Sequence, residues 1–467
     1  MHLKKWFSGF CALALIALLS GCGNNASSSN NTNPQSNSVF VTGTDAPLPS
    51  VVGFRVDITG LTLSNGMSTP VSVLNGTQTV DFARLNGLRT LLDINTIPAG
   101  TYTQAVVTLA NPSIDYLNVT NPQTHPALST LDTSASSNPQ LSLTTSQVTI
   151  NLATPLVVSA GDIDGLRFEF DIRQSVAVDG SGQITGAITP TLDLKVVTPS
   201  DADAYIDEFD AGVVSVNATG NSFVIQGPHG HQFTVNVNQQ TEWEGNETIS
   251  NLSSNSIVEI SGTLDRTSAA ILADTVAIVS QDHFWAGGLV TFVDPPVGTA
   301  TDFDLYVRSV LPAGTGFNSG QISNIALTGQ EKYFIHWWHD NFGSFLFTST
   351  GLVPGQHVSI AGPFSNGVVT VKRVVLRHSG HTGTLVTGQT NTSAGTFEFN
   401  SNGLAGVLFE GPVTVQVTPF TRFLGGLTGI NDLTGTTALN LRVVGLILKT
   451  NTGDPIFLAR SVEKLTN

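Results

Sequence analysis

Short runs in which apolar and polar residues alternate, each closed by a turn residue, recur along most of the chain and favour a β architecture. Phe54, Val56 and Ile58 alternate with Arg55, Asp57 and Thr59, and Thr101–Leu109 and Leu166–Ile172 read the same way. A period of two sends neighbouring side chains to opposite faces, so each run predicts a half-buried strand. Charged residues are 11% of the 467, against ~25% in an average globular chain. With 46 glycines, this profile suits short strands joined by polar turns and argues against long solvated helices. Hydrophobic residues at 40% are enough to bury real cores. Lys and Arg number 19 against 34 Asp and Glu, a net charge of −15, so the basic footprint of a nucleic-acid binder is missing and no nucleic-acid partner is expected.

Met1 to Cys22 reads as an export signal. Lys4 and Lys5 supply its positive start, and Phe10–Leu19 is an apolar stretch too short to span a bilayer as a ~20-residue helix. Leu19-Ser20-Gly21-Cys22 resembles a bacterial lipobox. The resemblance implies cleavage before Cys22, diacylglycerol on its sulfur and a third acyl chain on the new amine, with membrane lipid as the partner. Buried acyl chains at ~0.8 kcal/mol per CH₂ make such an anchor permanent. Gly23 follows where an Asp would favour inner-membrane retention, so the outer membrane or cell surface is expected. Cys11 and Cys22 are the two cysteines, which leaves a mature chain with no disulfide and no cysteine metal site. Residues 23–38, without an apolar side chain larger than Ala before Ser38, read as a flexible tether.

Residues 39–199 read as one β-sandwich-like domain, interrupted by Ala83–Leu92, where Leu85, Leu88 and Leu92 at helical spacing predict a short helix or turn. Thr44-Asp45-Ala46-Pro47, Leu91-Leu92, Ile97-Pro98-Ala99-Gly100-Thr101-Tyr102, Phe168-Glu169-Phe170-Asp171-Ile172 and Ile188-Thr189-Pro190 resemble an exported bacterial domain-of-unknown-function family, four-three-eight-two. That resemblance implies a location and a β-sandwich shape, and no activity. Residues 200–210, with five acids in ten positions from Asp201, read as an acidic linker. Beyond it a unit of about five short strands recurs three times, over 211–280, 284–378 and 381–467. The unit suits a small barrel, since closure removes exposed sheet edges. It resembles a second family of unknown function, five-six-six-six, of tandem OB-like modules, with Pro354-Gly355-Gln356-His357-Val358 the closest match. The expected fold class is therefore all-β: a sandwich-like domain and three small OB-like barrels arranged as beads.

Candidate chemistry is sparse. No nucleophile elbow, H-E-x-x-H, Walker loop or dinucleotide-binding glycine motif occurs, so nothing in the sequence points to an enzyme; a polysaccharide-active enzyme ranks third among the readings. Histidines concentrate in the modules, and His336, His339, His378 and His381 form the candidate transition-metal set. Turn and surface histidines are the plainer reading, since His336 and His339 would point to opposite faces if His336–Asp340 is a strand. Trp285, Trp337 and Trp338 form the candidate ligand platform, for a glycan stacked on an outward indole or for another envelope protein; core packing explains them as readily. Asp162-Ile163-Asp164-Gly165 and Asp179-Gly180-Ser181-Gly182 resemble fragments of calcium loops, although the same dipeptides are hairpin turns.

The sequence thus points to an envelope-anchored protein with a non-catalytic binding or spacer role, and, as the alternative, to a metal-handling one. Cys22→Ser should abolish labelling by radioactive palmitate and move the protein to the soluble fraction; label retained in that variant refutes the anchor.

Overall fold

The computed structural model describes residues 38–465 except 47–50, 67–68, 119–123, 160, 162, 182, 202–203, 228–229, 245–246, 266–267, 282–283, 313, 336–346, 367, 402–411, 436 and 451–452. The described chain is all-β apart from 3₁₀ turns and one four-residue α-helix, Ile172–Ser175. No helix among these residues is long and apolar enough to cross a membrane.

Two sheets face each other in the N-terminal domain. One has the order Leu192–Val197, Ile163–Asp171, Ser38–Ala46, Thr90–Thr96, with the two central strands parallel. The other is built on the long antiparallel pair Val51–Ser64 and Gly100–Asn118. The alternation read from Phe54 to Thr59 is the observed burial: Phe54, Val56 and Ile58 meet Phe168 and Phe170 of the facing sheet, while Arg55 and Asp57 stay half-exposed. The Phe54 and Phe170 rings stand 4.9 Å apart, tilted by 47°, an arrangement favoured over face-to-face stacking. Ala83–Leu92 is a 3₁₀ turn, Phe82–Arg84, followed by an irregular stretch and the strand Thr90–Thr96. Its leucines are buried all the same, because Leu85 and Leu92 are fixed by the sandwich core and not by a helix.

The three modules share one strand order. In the first, Ile206–Asn217, Ser222–Gln226 and Gln232–Asn236 form a meander, Ile257–Leu264 pairs with the first strand, and Ile271–Ser280 pairs antiparallel with the fourth and parallel with the third. The third module repeats this as a closed barrel of Ser379–Asn391, Thr396–Ser401, Val413–Leu424, Asn440–Lys449 and Pro455–Lys464. In the second, Trp285–Asp294, Asp302–Leu311, Gln321–Ala326, His357–Ala361 and Arg373–Arg377 follow the same order, but the last strand runs parallel to Lys332–Ile335.

Beads are not what forms. Residues 36–467 make one compact unit, and its parts share cores. In the strand Ser38–Ala46, Val39 and Val41 enter the sandwich core while Phe40, facing the other way, joins Ile206, Phe209 and Ile260 of the first module. Leu446, Leu448, Ile456 and Leu458 of the third module pack into the core of the second. Trp285 seals the first module to the second, among Ile257, Ala277, Val279, Leu311 and Ala361. Tyr306 of the second module reaches the sandwich, where its hydroxyl donates to the buried carboxylate of Asp115 at 2.6 Å.

At Gly380 the third module lies against the sandwich so closely that a Cβ would collide with the Asn86 carbonyl, while the Asn86 side-chain amide donates to the Gly380 carbonyl at 2.9 Å. Gly380→Ala should therefore loosen that contact at a cost of about 1–3 kcal/mol, the range for overpacking. Calorimetry should show one transition in the native chain and a lowered or split one in the variant; an unchanged melting profile contradicts the close packing.

Candidate functional site

The segment expected to be an acidic linker instead supplies, from Ile206, the buried start of the first module. The strand Ile206–Asn217 slips in register between Ile206 and Phe209, and Glu208 there adopts φ of +46°, in the left-handed region. The slip breaks the two-residue alternation, so Asp207, Glu208 and Asp210 can be buried and yet reach different partners. Asp207 Oδ1 accepts from Arg460 of the third module at 2.9 Å, and Oδ2 accepts from the Arg89 backbone N–H of the sandwich at 3.1 Å. Glu208 accepts from the backbone N–H of His378 at 3.0 Å and lies 2.6 Å from its Nδ1. Asp210 Oδ2 accepts from Arg377 at 2.8 Å and from Arg84 of the sandwich at 3.3 Å.

Arg377, the last residue of the second module's final strand, is the centre of this array. Its side chain is wholly buried and ion-pairs with Glu208 at 3.3 Å, Asp210 at 2.8 Å and Glu259 at 2.7 Å. It also donates to the Glu208 carbonyl at 3.0 Å, and its guanidinium carbon lies 5.5 Å from the centre of the Trp285 ring. Burial pushes the Asp210 carboxyl up to about 6 and that of Glu259 up to about 7, against the pull of Arg377. Burial acts on the histidines in the opposite sense. His381 is lowered to about 4, and His357 falls well below its usual range, with Arg84, Arg308 and Arg377 adding to the effect.

Beside the array lies a cavity of about 430 Å³, walled by the sandwich and by the first and second modules. Such a volume falls within the ~300–1,000 Å³ of ligand pockets, which favour junctions between domains. Leu88, Leu91, Phe209 and Phe233 contribute apolar surface to it, and Arg55, Arg84, Arg308 and His231 contribute polar groups.

The residues singled out from sequence fall elsewhere. Trp285 is fully buried, so it offers no face to a sugar, and the platform reading of that residue is corrected to core packing. Trp337, Trp338, His336 and His339 lie outside the described residues, as does Cys22. His378 and His381 are both buried and separately engaged: His378 with Glu208, His381 edge-on to Phe457 at 5.2 Å and 3.2 Å from the Ser379 hydroxyl. Among the described residues no three His, Cys, Asp or Glu side chains gather as a metal ion requires. Asp179 spends one carboxylate oxygen on Ser181 and Gln183 of its own turn, as a hairpin does. Sequence reasoning missed Arg84, Arg377 and Arg460. One signal was present: Arg377 ends the apolar run Val374-Val375-Leu376 in a chain poor in charge, where a cation needs a buried counter-ion.

Residues 38–185 match a family model described as a domain of unknown function (DUF4382). The match ends inside the strand Ile184–Ile188, before Leu192–Val197, which completes the four-stranded sheet. A search of curated proteins finds no match to the chain.

Removing Arg377 leaves three buried carboxylates without their common cation. Arg377→Met should cost about 3–5 kcal/mol, as breaking a buried ion pair from one side does. Because Asp210 and Glu259 already titrate above the unfolded value, their contribution to stability is present at acidic pH and lost as pH rises through about 6 to 7. Without the arginine both should titrate higher still. Denaturant titrations at pH 5 and pH 8 should therefore show the variant's deficit growing with pH; a deficit independent of pH contradicts the assignment.

Proposed function

We propose that the chain is an exported lipoprotein, acylated at Cys22 and held at the outer membrane or cell surface, that works without catalysis as a binding protein. The three modules are read as tandem OB-like units of the family five-six-six-six, a reading supported by their common strand order. The observation that carries the binding role is the way the units fold back on one another around a cavity. A spacer benefits from reach, which beads on a string provide. Four units locked through shared cores give up reach, and three of them enclose a pocket where they meet.

The test is to purify the chain from its own envelope, denature it and identify released small molecules by mass spectrometry, with Ser309→Trp as the comparison. Ser309 lines the cavity and is half-buried, so an indole there occupies the space. A species present at about one per chain in the native protein and missing from the variant supports the reading. If neither form releases such a species, the spacer role takes its place.

A further inference from the structure

The hydrogen-bonding capacity left open in the cavity indicates what kind of molecule it takes, on the premise that the protein is a binder. Three guanidinium groups line the space, those of Arg55, Arg84 and Arg308. Arg84 donates through Nη2 alone, to the Glu208 carbonyl and to Asp210. Arg308 donates through Nη1 alone, to Asp81 at 3.0 Å. Arg55 uses Nη1 on Asp115 and Tyr306 and one Nη2 N–H on Ser113, which leaves its Nε and the second Nη2 N–H. Each arginine therefore retains an N–H that no described residue accepts.

Four acids, Asp81, Asp207, Glu208 and Asp210, line the same space, and each is engaged through at least one oxygen, while Asp210 Oδ1 accepts no hydrogen bond. Asp81 accepts from the Phe54 backbone N–H at 2.9 Å as well as from Arg308. Asp210 takes both Arg84 and Arg377, and Asp207 takes Arg89 and Arg460. Open capacity in the lining is thus weighted toward cationic donors. Arg84 is also crowded: burial together with the neighbouring Arg377 lowers its affinity for a proton, and a bound negative charge would relieve that. Much of the remaining lining is aliphatic or aromatic, from Leu88, Leu91, Leu92, Phe209, Phe233 and Val310.

We propose that the cavity binds a small amphipathic anion, its carboxylate or phosphate head against the open N–H groups of Arg84 and Arg308 and its apolar body against the leucine and phenylalanine side chains. The planar guanidinium fork matches either head group in geometry as well as charge. The apolar wall adds ~25 cal/mol per Å² of surface removed from water, which favours an aliphatic or aromatic tail over a bare inorganic anion.

Calorimetric titration of the full chain in lipid nanodiscs, with empty nanodiscs as the blank, separates the possibilities. The probes are octanoate, octyl phosphate and octylammonium. Saturable binding of octanoate or octyl phosphate, at least tenfold tighter than octylammonium, is the expected result, and the tighter of the two identifies the head group. Arg84→Gln should weaken that binding at least tenfold. Ser309→Trp, which removes no ion pair, should abolish it while leaving the melting temperature near the native value, and so covers the case in which the arginine variant fails to fold. Octylammonium binding as tightly as the anions overturns the anion assignment and leaves a binding cavity in place. No saturable binding of any of the three probes overturns both.

Discussion

Arg377 is the interaction on which the arrangement of the four units depends. It is carried by the second module, neutralised by three carboxylates of the first, and followed immediately by His378, which contacts Glu208. Arg84 of the sandwich shares Asp210 with it. A buried ion array of this kind is no richer in stability than a well-packed apolar one, because desolvating each charge costs several kcal/mol. Its effect is on alternatives: a module docked in another register strands a charge in a low-dielectric interior. Apolar surface brings the units together without direction, and the array fixes how they meet.

The individual strands were legible because alternation records one buried face. The strand Val51–Ser64 follows that rule from Phe54 to Ile58 and again from Leu61 to Leu63. What alternation cannot record is a second buried face. Trp285–Asp294 and Asn440–Lys449 are buried at nearly every position, because one side fills their own module and the other meets a neighbour. Such continuous apolar runs were visible as strands, while the interfaces they imply were not, and beads were expected. The acidic run misled in the same way. Asp207, Glu208 and Asp210 are close in sequence and read as part of a linker, whereas their partners at Arg377 and Arg460 lie far along the chain. Only the fold brings them together.

Glu208 joins the two themes. A non-glycine residue in the left-handed region inside a strand is held there at a cost of about 1–3 kcal/mol, and such residues persist where surrounding contacts over-determine them. Here its carboxylate meets His378 and Arg377, and its carbonyl receives both Arg84 and Arg377. The same slip in register places Phe209 on the cavity wall between two acids that face arginines. Ion array and cavity therefore share one irregular strand, whose Asp207, Glu208 and Asp210 belong to the array and also line the cavity.

The parallel pairing of Ser38–Ala46 with Ile163–Asp171 dictates an order of events. The first strand of the sandwich occupies the centre of its sheet, and its partner lies more than a hundred residues downstream, Val41 opposite Leu166. Thr90–Thr96 can pair with its other edge earlier, so a chain emerging from its N-terminus holds a central strand with one open edge until that partner arrives. The ion array waits longer still, for Arg377 and then Arg460. Contacts so distant in sequence slow folding, because loop-closure entropy is lost before the pairing returns it. The sandwich has all its strands once Leu192–Val197 is made, but the four units can become a single locked body only after Arg460.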